Sequence, residues 1–252
     1  IDPVGGDIVS VGLIDYPISV DQPDIPFQLL NRNSEHTYIA QSGLVGEKGT
    51  DKAGQPRPYY HSSLPSYEMG DKENLVVDLT LNQDDGVKIT KRLTFTRGGY
   101  LVNVDVIVDN ASSETWSAAL FAQIKRDGSA DPGLDSSGFG LPTFIGGAYW
   151  DEDKPYNKKT FDEFTDEPLN KEIPGGWLAF IQHYFMSAWI PDQSMKLRYQ
   201  TRTTSGHYII SYITPAVKVN AGDQYIFNNR FYAGPKILSK LEEVEPDKGL
   251  DL

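Results

Sequence analysis

The stretch NLVVDLTLNQDDGVKITKRLTF, residues 74–95, alternates apolar and polar side chains on both sides of a central turn signal. The positions that share one face are Leu75, Val77, Leu79 and Leu81, then Val87, Ile89, Lys91, Leu93 and Phe95. A period of two predicts strands that pack one face on a core. Asp85-Gly86 lies between the two runs and favours a tight hairpin turn, because glycine tolerates a positive φ. The stretch therefore predicts two antiparallel strands.

The same pattern continues outward along the chain. RGGY (97–100) leads into LVNVDVIVDN (101–110), and NASSE (110–114) leads into TWSAALFAQIK, so short connections join three or four antiparallel strands. Further strands are predicted near residues 8–14, 37–42, 143–150, 196–203, 207–213 and 224–232, with Ser205-Gly206 as a second hairpin turn. The pattern predicts a mostly β fold, a large antiparallel β-sandwich of two sheets, over residues 1–233.

Three segments between the predicted strands favour surface loops. Residues 46–58 and 127–138 are rich in turn-forming residues and poor in apolar ones. Residues 151–173 are charged and contain proline, and we expect them to form a long exposed excursion.

Composition narrows the class of protein. The 252 residues carry a formal net charge of -12, which disfavours nucleic acid and anionic lipid headgroups as partners. We interpret the acidic residues as a solvated surface. The chain has no cysteine, so it uses neither disulfides nor thiol chemistry. That absence fits both a reducing compartment and a periplasmic protein without disulfides.

The most apolar run is GGWLAFIQHYFMSAWIP, residues 175–191. Only residues 177–190, fourteen in all, lie between its glycine and proline boundaries, whereas a spanning helix needs about 20. Read as a helix the run has no polar face, but as a strand it has two mostly apolar faces. We therefore predict one central strand that is covered on both sides, with His183 packed within it.

No motif for catalysis, cofactor binding or metal binding stands out. The four histidines, His36, His61, His183 and His207, show no metal-ligand spacing, and the sequence lacks a nucleophile elbow, a phosphate-binding loop and a dinucleotide fingerprint. Paired carboxylates such as Asp84-Asp85 are too common among 35 acidic residues to indicate a glycosidase. We therefore predict no catalytic residue, no cofactor and no metal.

The C-terminal residues 234–252, GPKILSKLEEVEPDKGLDL, predict a helical segment. Pro235 suits the first helical position, Pro246 stops the run, and the length between them corresponds to about three turns. One face carries Ile237, Leu238, Leu241 and Val244. We expect this stripe to dock on the domain's own sheet rather than to stay exposed.

Several stretches, in order and over nearly the whole chain, resemble the large periplasmic domain of the bacterial YidC-type membrane protein insertases of Gram-negative bacteria. They are PFQLL (26–30), YIAQSGLVG (38–46), RPYY (57–60), LTFTRGGYLVNVDVIVDN (93–110), TFIGGAYW (143–150), the apolar run 175–191 and AGPKILSKLEEVEP (233–246). Most are weak singly, but GGW followed by QHYF and SAWIP is specific.

The resemblance implies a β-super-sandwich like that of galactose mutarotases, followed by helical structure. It implies a non-catalytic periplasmic part of a protein that inserts and folds inner-membrane proteins. A transmembrane helix would precede Ile1 and a membrane core would follow Leu252. The implied partners are that core, Sec translocon accessory subunits and nascent inner-membrane proteins. The residues implied to connect the domain to the core are Pro235, Lys236, Ile237, Leu238, Lys240, Leu241 and Val244.

Two alternatives stay open from the sequence. The first is a carbohydrate-binding or mutarotase-like module, which requires two histidines, from the pair His183 and His207 or the pair His36 and His61, to meet a carboxylate in a cleft. The second is a groove that binds extended apolar peptide along a sheet edge. The sequence does not locate such an edge.

Overall fold

The computed structural model describes residues 1–130, 144–242 and 244. Eighteen strands and two short helices lie in this part of the chain. Their bounds are β1 Val11–Ser19, β2 Gln22–Arg32, β3 Thr37–Val45, β4 His61–Ser62, β5 Asn74–Asn82, β6 Val87–Thr96, β7 Leu101–Asn110, β8 Trp116–Arg126, β9 Gly146–Tyr149, β10 Asn157–Lys159, α1 Glu163–Asp166, β11 Asn170–Pro174, β12 Leu178–Ile181, β13 Phe185–Pro191, β14 Lys196–Thr204, β15 His207–Ile213, β16 Val217–Val219, β17 Gln224–Phe227, β18 Asn229–Pro235 and α2 Leu238–Glu242.

The strands form two antiparallel sheets, which confirms the predicted sandwich. The eight-stranded sheet has the order β1-β2-β3-β8-β15-β14-β11, with β16 paired to β8. The ten-stranded sheet has the order β10-β9-β12-β13-β18-β7-β6-β5-β4, with β17 paired to β7. Both sheets draw strands from both halves of the chain, so neither half contains a complete sheet.

The core lies between the sheets and is rich in large aromatic side chains. Trp116, Trp177 and Trp189 are fully buried. Buried polar groups also connect the two layers: Trp189 Nε1 donates to the Gln123 carbonyl at 3.0 Å. The hydroxyls of Tyr38 and Ser187 are 2.7 Å apart. These four groups thus have partners away from water, which avoids the cost of burying them unpaired.

The hairpin of residues 74–95 forms as predicted. β5 pairs with β6 in register from Asn74↔Thr96 to Asn82↔Lys88, and Gly86 has a φ of 92°. Ile89, Lys91 and Leu93 are all buried on the inner face. The alternation therefore predicts the correct face even where the inward residue is a lysine.

The apolar run 175–191 is not one strand, and this prediction is wrong. It forms β12 and β13, which pair with each other through Ile181↔Met186 and lie between β9 and β18. The Gln182 N–H donates to the Phe185 carbonyl at 2.9 Å, so His183 and Tyr184 form the turn and not part of a strand. The predicted central, buried position of the run 175–191 is confirmed. The turn contains neither glycine nor proline, so local chemistry gives no signal for it.

Other boundaries differ from expectation in three places. The strand expected at 224–232 is interrupted at Asn228 into β17 and β18, which both pair with β7. Residues 151–173 are not one exposed excursion, because they contain β10, α1 and most of β11, with Phe164 and Ile173 buried. The strand expected near residues 8–14 begins at Val11 and runs to Ser19. The loop predicted at 127–138 lies mostly outside the described residues.

The strand predicted at 207–213 is confirmed as β15, and Ser205-Gly206 forms its hairpin turn with β14. The described part of the chain contains no helix of the length and apolar character needed to cross a membrane.

Candidate interaction site at the C-terminal helix

The C-terminal segment leaves the sandwich from a central strand. β18 runs through Pro235, which pairs with Phe185 of β13, so Pro235 is not the first helical residue as predicted. The Tyr232 hydroxyl donates to the Pro235 carbonyl at 2.6 Å, and the Lys236 N–H donates to the Tyr184 carbonyl at 2.8 Å. A proline can end a strand because it lacks only a donor. The helix therefore begins at Leu238, and its predicted end at Pro246 lies outside the described residues.

The helix α2 docks on the domain itself, as the sequence favours. Leu241 is 1% exposed and Val244 is 6% exposed. The Arg230 Nη1 donates to the Val244 carbonyl at 2.7 Å, which satisfies a carbonyl just beyond the end of α2. The apolar stripe is narrower than predicted, because Ile237, expected on it, is 43% exposed.

The remaining residues of the predicted connection divide between the docked side and solvent. Pro235 is buried, Lys236 is half-buried, and Lys240 is exposed. Leu238 is the first residue of α2. The outward side of the segment thus presents Ile237 and Lys240, an apolar and a basic group that the domain does not cover.

The turn between β12 and β13 extends this outward surface. Tyr184 is 65% exposed, and its ring lies edge-on to His183 at 4.0 Å. Its carbonyl holds the Lys236 N–H, so Tyr184 and Ile237 lie at the same end of the sandwich. From the sequence, Tyr184 stands out only as part of the QHYF marker. The prediction of one buried strand across this region contains no turn, so it does not predict an exposed side chain at Tyr184.

Aromatic side chains attach the β1–β2 hairpin to the same end of the molecule. The Phe185 ring centroid lies 5.2 Å from that of Tyr16 and 4.4 Å from that of Phe27. Tyr100 packs near Tyr232 at 6.2 Å. Burial, followed by the hydrogen bond with Tyr16, raises the pKa of Tyr100 to about 12. The Tyr100 phenol is therefore a neutral contact at physiological pH.

The histidines do not form the arrangement that a mutarotase-like site requires. His183 lies in a turn of the ten-stranded sheet, whereas His207 begins β15 in the eight-stranded one. His36 lies between β2 and β3, and His61 lies in β4 at the far edge of the other sheet. Within the described residues, no three histidine or acidic side chains gather as a metal site would need.

A cluster of buried charges, which the sequence does not predict, lies between the sheets. Lys91 Nζ donates to the Gly5 carbonyl at 2.6 Å and to the Ser42 carbonyl at 2.9 Å. Arg57 lies 3.1 Å from a carboxylate oxygen of Asp7 and 2.8 Å from one of Asp51. Burial lowers the pKa of Lys91 to about 8 and raises the pKa of Asp7. The cluster connects β6, β3, the N-terminal segment and the loop after β3.

Two adjoining cavities open along the edge of the sandwich. One, of about 450 Å³, lies between β1 and the β6–β7 turn and is lined by Leu13, Phe95, Tyr100 and neighbours. The other, of about 620 Å³, is lined by Tyr59, Leu64, Tyr67 and neighbours. Ile1 and Phe95 line both, so the two cavities are neighbours, and we refer to the pair as the groove.

Comparison with known proteins places these features in context. The model of the family "YidC periplasmic domain" matches residues 1–252. The chain is 48% identical to the membrane protein insertase YidC of Alcanivorax borkumensis, over 98% of this chain and 43% of the relative. It is 46% identical to the protein of that name from Pseudomonas putida, over 100% of this chain and 45% of the relative. The chain therefore spans less than half the length of these relatives.

Solved structures share the fold at low sequence identity. A galactose mutarotase-like protein from Lactobacillus casei aligns with a TM-score of 0.54 and 12% identity, over 92% of this chain and 95% of that one. A galactose mutarotase related enzyme from Lactobacillus acidophilus gives 0.53 and 12%, over 92% and 93%. At such identity the likeness carries the fold alone.

Proposed function

The chain belongs to the YidC periplasmic domain family, and on that premise we propose that it is a non-catalytic interaction module of a membrane protein insertase. Its place is the periplasm, as a domain of an inner-membrane protein. Its partners are the membrane core of the same protein, accessory Sec subunits and nascent inner-membrane proteins. Its role is to assist insertion and folding by contact, and within the described residues no group of three or more histidine or acidic side chains could hold a metal ion.

One observation carries the proposal: the C-terminal segment is fixed to the sandwich on one side and uncovered on the other. Leu241 and Val244 hold it in place, while Ile237 and Lys240 face outward. A docked helix transmits force and orientation between the domain and whatever follows it in the chain. A merely flexible linker would bury no side chain. This arrangement supports the segment 234–252 as a coupling element between the domain 1–233 and the membrane core.

The test uses the full-length insertase in a strain depleted of its own copy. Ile237→Asp together with Lys240→Glu changes the outward side without touching the docked residues. We expect insertion of a dependent membrane protein to fall about tenfold, because a charged group replaces an apolar contact at an interface. Val76→Asp is the matched control. Val76 is 45% exposed on β5, and β6 and β7 separate β5 from β18, the strand that precedes α2. Equal insertion by the two variants would count against a coupling role for the helix.

The groove supports a second candidate, the binding of extended apolar peptide. β1 is an edge strand of the eight-stranded sheet, and the groove runs beside it. An edge strand offers unpaired backbone groups to which an added strand can bond, while apolar side chains of the peptide enter the cavities. A photoreactive residue at Leu64, which is 53% exposed, should crosslink to nascent membrane proteins during translocation. Ile226, which is 41% exposed, is the control site. A crosslink yield at Leu64 no higher than that at Ile226 would exclude peptide binding in the groove.

A further inference from the structure

The β1–β2 hairpin carries the two most exposed large apolar residues in the described part of the chain, Val20 and Ile14, and a third, Ile25. We define the hairpin arm as residues 14–25, the end of β1 and the start of β2. Ile14 is 85% exposed, Val20 is 94% exposed and Ile25 is 48% exposed. A single exposed apolar side chain is ordinary, but three β-branched ones within twelve residues are a concentration of exposed apolar surface that favours contact with a partner.

The arm is also acidic without compensation. Asp15, Asp21 and Asp24 lie within it, and the chain has no lysine or arginine before Arg32. In the structure Arg32 pairs with Asp2, so it does not neutralise the arm. A partner that covers the apolar residues must therefore also tolerate or offset three carboxylates, which calls for lysine or arginine around an apolar strip.

The base of the arm is fixed, so its tip is presented in a defined direction. Leu13 and Phe27 are each 5% exposed, and the rings of Tyr16 and Phe27 both pack on Phe185. Pro17, Pro23 and Pro26 restrict the backbone of the two strands. A fixed base reduces the ordering entropy that binding would otherwise cost.

The arm and the C-terminal helix share one end of the sandwich. Phe185, on which the arm rests, is the register partner of Pro235, and the next residue, Lys236, is bonded to Tyr184. The relatives are more than twice as long as the region that this chain matches. On the coupling role proposed above, the membrane core follows the helix, so the connection to it starts from the end of the sandwich that carries the arm.

We propose that the hairpin arm binds a basic, apolar surface on the membrane-embedded remainder of the same insertase polypeptide. This rests on the coupling role proposed above and adds a second contact to it. Charge argues against the other occupants: anionic lipid headgroups repel three carboxylates. A second copy of this domain, with a net charge of -12, repels them as well.

The experiment places a photoreactive amino acid at Val20 in the full-length insertase in native membranes, with Ile226 as the matched site. We expect intramolecular crosslinks from Val20 to peptides of the same polypeptide outside residues 1–252. Converting Asp15, Asp21 and Asp24 to lysine should lower that yield about tenfold, because it places like charges in contact. All three aspartates lie on the solvent-exposed arm, so the domain should keep its melting temperature.

The possible outcomes distinguish the arm contact from the coupling role of the helix. Crosslinks from Val20 only to lipid, to another copy, to a different protein or to nothing would overturn the proposal. An unchanged yield in the triple lysine variant would also overturn it, because it would remove the argument from charge. If the Ile237→Asp, Lys240→Glu variant inserts normally while Val20 still crosslinks to the same polypeptide, the coupling helix fails and the arm contact stands. If that variant inserts poorly while Val20 gives no crosslink to the same polypeptide, the arm contact is excluded and the coupling helix stands.

Discussion

At the scale of single residues, Lys91 shows what a strand pattern predicts and what it does not. The period of two in residues 74–95 assigns Lys91 to the inner face, and the structure buries it there completely. The pattern does not contain its partners, because Gly5, Ser42 and Asp7 come from segments distant in sequence. A buried ammonium is tolerated only where carbonyls and carboxylates replace its water.

Removing the Lys91 ammonium should destabilise the domain strongly. Lys91→Met keeps the length of the side chain but removes one of the two donors to the Gly5 and Ser42 carbonyls, which Arg57 also bonds. It also removes a positive charge attracted to Asp7 and Asp51. We expect a loss of about 3–5 kcal/mol in the free energy of unfolding, measured by urea denaturation at pH 7. Lys88→Met, on the exposed face of the same strand, should change it by less than about 0.5 kcal/mol. Similar losses in both variants would contradict the role given to the cluster.

The stability of the wild-type domain should rise with pH just above neutrality. The folded pKa of Lys91 is about 8, below the ordinary value of 10.5, because burial disfavours its charge. Between these values the unfolded chain binds more protons than the folded one, so unfolding free energy increases with pH. Urea titrations from pH 8 to 9.5 should show this rise, and Lys91→Met should lack it. A parallel rise in both proteins would assign it to another group.

At the scale of elements, hairpins with a glycine turn are predictable and the others are not. Asp85-Gly86 and Ser205-Gly206 identify their turns because the required backbone conformations favour particular residues. The turn at His183 and Tyr184 contains neither glycine nor proline, and only the pairing of β12 with β9 and of β13 with β18 makes it necessary. The same holds for Pro235, whose strand conformation is imposed by β13. Tertiary pairing overrides the local helical signal there.

The Ser205-Gly206 turn offers a test of local chemistry. Ser205 has a φ of 48° and Gly206 a φ of 75°, both in the left-handed region. Asparagine tolerates this region better than serine, so Ser205→Asn should add about 0.5 kcal/mol to the unfolding free energy. Gly206→Ala should cost about 1–2 kcal/mol, although no neighbour would meet the new Cβ within 4 Å. Thermal unfolding of the two variants checks both signs, and a neutral Gly206→Ala would refute the strain argument.

At the scale of the whole molecule, we expect the two sheets to unfold as one cooperative unit. β3 pairs with β8, and β7 pairs with β18, so residues about 80 to 130 positions apart are adjacent. The fold class follows from the sequence because alternation and turn spacing recur along the chain, but the order of strands does not. Nothing local specifies that the last strand lies between β13 and β7. The candidate site is likewise predicted as a helix, and its outward side is visible only in the packing.

We expect a single unfolding transition. Trp116 lies in the eight-stranded sheet and Trp189 in the ten-stranded one, so tryptophan fluorescence reports on both, while far-UV circular dichroism reports on all strands. The two signals should give the same midpoint in urea. Reducing agent should not shift it, since the chain has no cysteine. Separate midpoints would show that the sheets unfold independently.

The central position of β18 determines when the ten-stranded sheet can be completed during synthesis. A polypeptide emerges from its N-terminal end, so β7 and β13 are available long before the strand that joins them. Until residue 235 has emerged, two interior edges with unpaired backbone groups stay open to other chains. Completion of the sheet therefore comes last and coincides with delivery of the helix. The sandwich therefore closes only when its last strand has been made.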